Sequence, residues 1–143
     1  MDLRINSNSV EETIIAGEKF SNNLIAGDII EITGEIGSGK THFVKGIAKG
    51  FNFKRAALSP TFTIVNEYIG GKLPIYHFDC FRIKNTNELK EIGIDNYLFG
   101  DGVSVIEWGE VVEEFLPLPR YLCQFSYGQK SNERLIKIKK LEK

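Results

Sequence analysis

Two kinds of residue in this chain could do chemistry together: a glycine-rich loop with a lysine, and acids that end apolar runs. The loop is Gly34-Glu35-Ile36-Gly37-Ser38-Gly39-Lys40-Thr41, which has the G-x-x-x-x-G-K-T spacing of a phosphate-binding P-loop. The glycines permit backbone conformations closed to other residues, so the N–H groups from Glu35 through Gly37, Ser38 and Gly39 to His42 can turn around phosphate oxygens. Lys40 reaches toward β- and γ-phosphates, and the Thr41 hydroxyl suits Mg²⁺. A helix opening at this point aims its positive N-terminal end at the same anion. The acids are Asp79, closing Ile75-Tyr76-His77-Phe78-Asp79, and Glu107, closing Val103-Ser104-Val105-Ile106-Glu107. A P-loop needs such an acid, at the carboxyl end of a neighbouring strand, to hold a divalent metal directly or through water. Spacing alone leaves open which of the two serves, or whether both do.

These residues work only if the right elements hold them. Asp28 to Thr33 is a short β-branched run, as the strand before a P-loop should be. Phe43, Val44, Ile47 and Ala48 recur at helical spacing after the loop, and Gly50 is a natural residue for ending that helix. Upstream, Leu3-Arg4-Ile5 is a strand candidate. Ser9 and Glu12 form a capping box for a helix reaching about Leu24, with Val10, Ile14, Gly17 and Phe20 or Ser21 on one side. Downstream, Pro60 pushes Ser59 away from helical geometry, so Ser59-Pro60-Thr61-Phe62-Thr63 is a loop entering a strand. Runs over 62–69 and 73–81, joined at Gly70-Gly71, predict a hairpin. Asn85-Thr86-Asn87 caps a short helix with Leu89 and Ile92. A second short helix is expected over Glu110–Leu116, before Pro117, followed by closing strands at 121–127 and 135–138. The order predicts an α/β, P-loop NTPase-like three-layer domain over residues 1–143, with a mixed, partly antiparallel sheet. No internal repeat or low-complexity linker interrupts it.

Composition narrows the function. The 143 residues are 42% hydrophobic with a net charge of −1, enough apolar content for a core and no basic field to draw nucleic acid or membrane. There is no apolar run of about eighteen residues and no signal-peptide pattern at the start, so we expect a soluble, cytoplasmic protein. Cys80 and Cys123 lack metal-site spacing and are expected as two buried thiols. The Lys137–Lys140 tail alternates, as a solvated strand face does. Among single residues, Thr61 suits either a γ-phosphate sensor or a turn hydroxyl. His77 suits a packed, hydrogen-bonded histidine better than a catalytic base. Arg82 fits an arginine finger, a partner contact or a surface ion pair. Trp108 is expected in core or rim packing, close enough to Glu107 to report nucleotide by fluorescence.

Four blocks in this order, 34–41, Ser59-Pro60-Thr61-Phe62-Thr63-Ile64-Val65, Tyr76-His77-Phe78-Asp79-Cys80-Phe81-Arg82 and Val105-Ile106-Glu107-Trp108, resemble the TsaE family, formerly YjeE, over nearly the whole chain. The resemblance implies an Mg²⁺-dependent ATPase, turning ATP into ADP and phosphate in the making of threonylcarbamoyladenosine in tRNA. It implies TsaD and TsaB as protein partners, with tRNA met only through their complex. By motif match it implies Thr41 and Glu107 as metal ligands and Asp79 as the Walker B-type acid on metal or water. Thr61 would lie in a switch-like loop, and adenine between Ser9-Val10 and Lys130-Ser131-Asn132. The family usually has Leu and Tyr where this chain has Cys80 and Phe81. A small-molecule kinase is the main rival, opposed by the lack of a lid insertion or an Arg-rich acceptor segment. A GTP switch is opposed by the lack of an Asn-Lys-x-Asp guanine-reading segment.

Overall fold

A computed structural model describes residues 2–53 and 65–142. In chain order the elements are β1 (Asp2–Ser7), α1 (Val10–Ser21), β2 (Ile29–Gly34), α2 (Lys40–Gly50), β3 (Val65–Tyr68), β4 (Ile75–Asp79), α3 (Asn87–Glu91), β5 (Val103–Glu107), β6 (Arg120–Tyr127) and β7 (Arg134–Leu141). The strands form one sheet in the order β1-β7-β6-β2-β5-β4-β3. Its centre, β6-β2-β5-β4, is parallel. The margins pair antiparallel, the single strand β3 with β4 on one side, and β7 with both β6 and β1 on the other. The expected 70–71 hairpin is therefore present, as are both closing strands.

The central strands show why the sheet is covered on both faces. Val103, Val105 and Ile106 on β5, and Ile29, Ile30 and Ile32 on β2, are all buried. Alternation sends Ile30, Ile32, Val103 and Val105 to one face, where they meet Phe20, Phe43 and Ile47 of α1 and α2. Ile29 and Ile106 point the other way, into a second cluster with Leu89, Ile94 and Leu116. The result is the expected three-layer arrangement, and ligands in such sheets sit at the carboxyl ends of the parallel strands.

Several local expectations shift. Ser9 does cap α1, its Oγ accepting from Glu12 N–H at 3.1 Å, but the Glu12 carboxylate reaches back to Asn8 N–H (3.4 Å) rather than to Ser9. The helix ends at Ser21, three residues short of Leu24. Its buried face is Thr13, Ala16, Gly17, Phe20 and Ser21, while Val10 is exposed. Gly50 is the last helical residue of α2, and the left-handed residue that ends the helix is Asn52 (φ 64°). Gly50 is small for another reason: a Cβ there would lie 1.9 Å from Ser21 Oγ. The same close approach repeats along the α1–α2 contact, where a Cβ on Gly17 would meet the Phe43 carbonyl and one on Gly46 the Ile14 carbonyl. The helix expected over 110–116 is instead two 3₁₀ turns, Gly109–Val111 and Glu113–Phe115, because Val112 leaves helical geometry at φ −124°.

Candidate functional site

The P-loop lies between β2 and α2, in the strand–loop–helix context the motif requires. Its glycines are needed for conformation. Gly34 has φ 139°, and a Cβ there would lie 2.6 Å from the Phe125 carbonyl; Gly39, capping α2, has φ 102°. Glu110 Oε2 accepts the Gly34 N–H at 3.0 Å. Ser38 N–H bonds to the Glu35 carbonyl at 3.2 Å, and Ser38 Oγ is buried with no hydrogen-bond partner among the described residues.

Lys40 is buried, its Nζ donating to the Gly34 carbonyl and standing 3.2 Å from the centre of the Trp108 ring. Burial pushes its ammonium below the usual lysine range, against the pull of Glu110, Glu107 and Asp79. Trp108 packs at the cleft rim against Phe81, with ring centres 4.8 Å apart. It holds a left-handed backbone (φ 60°), uncommon for a bulky residue.

Both candidate acids reach this loop. β4 and β5 run parallel with Asp79 opposite Glu107, so the two carboxyl ends coincide. Glu107 is buried. Its Oε1 accepts from Thr41 Oγ at 3.2 Å and its Oε2 from His77 Nε2 at 2.7 Å. Burial pushes the Glu107 carboxyl up. His77, the Thr41 hydroxyl and the Lys40 charge together outweigh that and hold it below the usual carboxylate range. Because a carboxylate only accepts, Nε2 is the donor in that contact, and the other ring nitrogen, Nδ1, lies 3.0 Å from the Tyr68 hydroxyl. His77 is thus the packed, hydrogen-bonded histidine that was expected, joined to the site through Glu107. Asp79 is exposed, its Oδ1 accepting from Phe81 N–H at 3.0 Å.

Gly37, Gly39, Lys40, Thr41, His42, Asp79, Glu107 and Trp108 line one cleft of 390 Å³. An adjoining cleft of 420 Å³ shares Gly37, Gly39 and His42 and brings Val10 within one concavity with Asn132 and Arg134. Glu35 is exposed at the head of the loop. Thr61 and the whole 59–63 segment lie outside the described residues. Arg82 is exposed, with no ion pair among the described residues. Cys80 and Cys123 are free and buried.

The candidate metal ligands in the first cleft, Thr41, Asp79 and Glu107, are all oxygen donors, one hydroxyl and two carboxylates, and His42 lines the same cleft. Among the described residues no group of three or more His, Cys, Asp or Glu side chains is placed to hold a metal. Carboxylate and hydroxyl oxygens are the ligand type that a hard ion such as Mg²⁺ takes, alongside phosphate oxygens and water.

Sequence reading missed Glu110, Tyr68 and a contact of the β6–β7 hairpin with the loop, through Tyr127 and Arg134. An acid three residues after Glu107 was the one local signal for Glu110. A buried ion pair, Arg120 Nε to Glu31 Oε1 at 2.8 Å, underlies this region; a Cβ on Gly109 would strike the Glu31 side chain. No described helix is long and apolar enough to cross a membrane.

Comparison with known proteins points one way. Residues 7–136 match the family model described as "Threonylcarbamoyl adenosine biosynthesis protein TsaE". A tRNA threonylcarbamoyladenosine biosynthesis protein TsaE of Rickettsia typhi is 36% identical over 134 residues, covering 93% of this chain and 92% of its own. The protein of that name in Treponema pallidum is 37% identical over 115 residues, covering 80% and 84%. The one from Bacillus subtilis is 45% identical over 94 residues, covering 66% of this chain and 58% of its own length. The crystal structure of Bacillus subtilis YdiB superposes with a TM-score of 0.82 at 33% identity, covering 96% of this chain and 84% of that one.

Proposed function

The chain belongs to the TsaE family of threonylcarbamoyl adenosine biosynthesis proteins, and from that premise we propose that it is an Mg²⁺-dependent ATPase acting on a TsaD–TsaB complex. The observation that carries the catalytic part is the convergence of Lys40, Thr41, Asp79 and Glu107 on one cleft beside the P-loop.

Each residue has a role its surroundings suit. The P-loop N–H groups and the α2 N-terminus bind the phosphates. Lys40 brings a charge to the β- and γ-phosphates, and its burial strengthens that charge's field. Thr41, Glu107 and Asp79 would hold the metal, whose bound charge would offset the negative charge of the phosphates. His77 and Tyr68 fix one Glu107 oxygen, so the other stays oriented toward Thr41. Asp79, exposed and paired opposite Glu107, would act on metal or water. Val10 and Asn132 would flank the adenine, the His42 N–H would meet a phosphate, and Thr61 would respond to the γ-phosphate. Hydrolysis then drives the partner complex, which meets tRNA; this chain's charge of −1 supports an indirect role.

The test is phosphate release from ATP with Mg²⁺, with and without the TsaD–TsaB pair, and with no added acceptor. Stimulated release supports the reading. A stoichiometric phosphorylated metabolite would instead make this a small-molecule kinase. Trp108 supplies the binding signal, and equal quenching by GTP and ATP would overturn the choice of ATP.

A further inference from the structure

The β6–β7 hairpin reaches past the end of the sheet and touches the P-loop from outside. β2 stops at Gly34, opposite Phe125, while β6 continues two residues further to Tyr127. Two residues is one strand period, so Tyr127 stands on the same face as Phe125, one step along, beside residues 36 and 37. Across the hairpin Tyr127 pairs with Arg134. The Tyr127 hydroxyl donates to the Ile36 carbonyl, and Arg134 Nε donates to the Gly37 carbonyl at 3.3 Å. The Arg134 guanidinium lies 4.6 Å from the centre of the Tyr127 ring. Its Nη1 is held by the carbonyls of Ser131 and Glu133 at 2.8 and 3.0 Å, so the group is fixed by its own turn as well as by the ring.

We propose that Tyr127 and Arg134 are positioning residues that keep the P-loop in its anion-binding conformation. The proposal rests on the reading of this loop as a phosphate site. A trans peptide is planar, with its C=O and N–H pointing in opposite directions. Drawing the Ile36 carbonyl toward Tyr127 therefore turns the Gly37 N–H away from the hairpin. Drawing the Gly37 carbonyl toward Arg134 turns the Ser38 N–H to the opposite side, where the Glu35 carbonyl holds it. Gly37 sits at φ 77°, and glycine has little intrinsic preference for one such conformation over others. An external hold supplies what the loop's own residues do not. Room for that hold is close: a Cβ on Gly37 would lie 3.1 Å from the Tyr127 hydroxyl. A loop released from this hold must be ordered when the anion binds, so the penalty falls on affinity for any phosphate chain.

Tyr127→Phe keeps the ring under Arg134 and removes only the hydroxyl; Arg134→Lys keeps the charge and removes the planar fork. Calorimetry with Mg²⁺ would measure two probes, ADP and inorganic pyrophosphate, the second having no nucleoside. Each variant is expected to weaken both probes by about fivefold, in line with the loss of one hydrogen bond. In ATP turnover the loss should appear in KM rather than in kcat. Unchanged affinity for both probes would overturn the proposal. So would a loss confined to ADP, which would assign the pair to the nucleoside side of the cleft. A fall in thermal midpoint with probe affinities intact would reduce the pair to a structural role. Wild-type protein binding neither probe would overturn the phosphate-site reading itself, and the proposal with it.

Discussion

Lys40 and Glu107 line the same cleft, and both are shifted downward for opposite reasons: burial lowers Lys40, while His77, Thr41 and Lys40 lower Glu107 against its burial. Burial pulls the Lys40 ammonium below its usual range, so its charge is poorly solvated and gains more from a phosphate than an exposed lysine would. Lys40→Ala should weaken ATP binding by about tenfold to a hundredfold, the span expected for a hydrogen bond between charged groups, as read by Trp108 fluorescence. Glu107→Gln keeps an oxygen for the Thr41 hydroxyl and removes the negative charge. Steady-state phosphate release should fall by about a hundredfold or more, while ADP affinity changes far less, because the lost charge matters most where charge develops. Wild-type turnover in that variant would leave Asp79 as the acid that counts. The sequence singled out Lys40, Thr41, Asp79, Glu107 and His77 from type and position. It did not show that His77 and Thr41 hold different oxygens of one carboxylate, because they are 30 and 66 residues from Glu107.

The α1–α2 pair is the element that sets where the P-loop helix starts. Small residues let the two helices approach until backbone meets backbone: Gly17 over the Phe43 carbonyl, Gly46 over the Ile14 carbonyl and Gly50 over Ser21. Gly46→Ala would force a Cβ to within 2.0 Å of the Ile14 carbonyl and must push the helices apart. The expected cost is about 2–3 kcal/mol, at the upper end for overpacking and despite alanine's better helix propensity. A lower urea midpoint with an unchanged slope would show it. Apolar periodicity located α2 and, in α1, the buried Gly17, Phe20 and Ser21, but misjudged the start of α1, where Val10 is exposed and Thr13 is buried. The buried Thr13 hydroxyl is satisfied by Ser7 Oγ at 2.6 Å, so a polar residue could take a core position that hydrophobicity alone assigns to Val10.

Both faces of the central strands are covered, and the two thiols sit one in each cluster, Cys123 on the α1–α2 side and Cys80 on the other. Both are fully buried, and burial pushes the Cys80 thiol up to about 12 and Cys123 further in the same direction. At pH 8 each therefore stays a neutral thiol out of reach of reagent. A disulfide-exchange reagent should label neither in the native protein and both in denaturant; prompt labelling under native conditions would mean that one face opens. What the order of residues settled was much of what neighbours a few positions apart govern: the P-loop and its flanking strand and helix, the Ser9 cap, the hairpin, the alternating β7 face and the two strand-ending acids. Those follow from backbone periodicity and short-range hydrogen bonds, which are written locally. Tertiary structure decided the rest. Parallel pairing of β4 with β5 set Asp79 beside Glu107, and pairing of β2 with β6 carried Tyr127 to the P-loop, 91 residues from Ile36 in the chain. Strand register depends on packing of whole faces, and no spacing within a single run encodes which distant strand will lie alongside it.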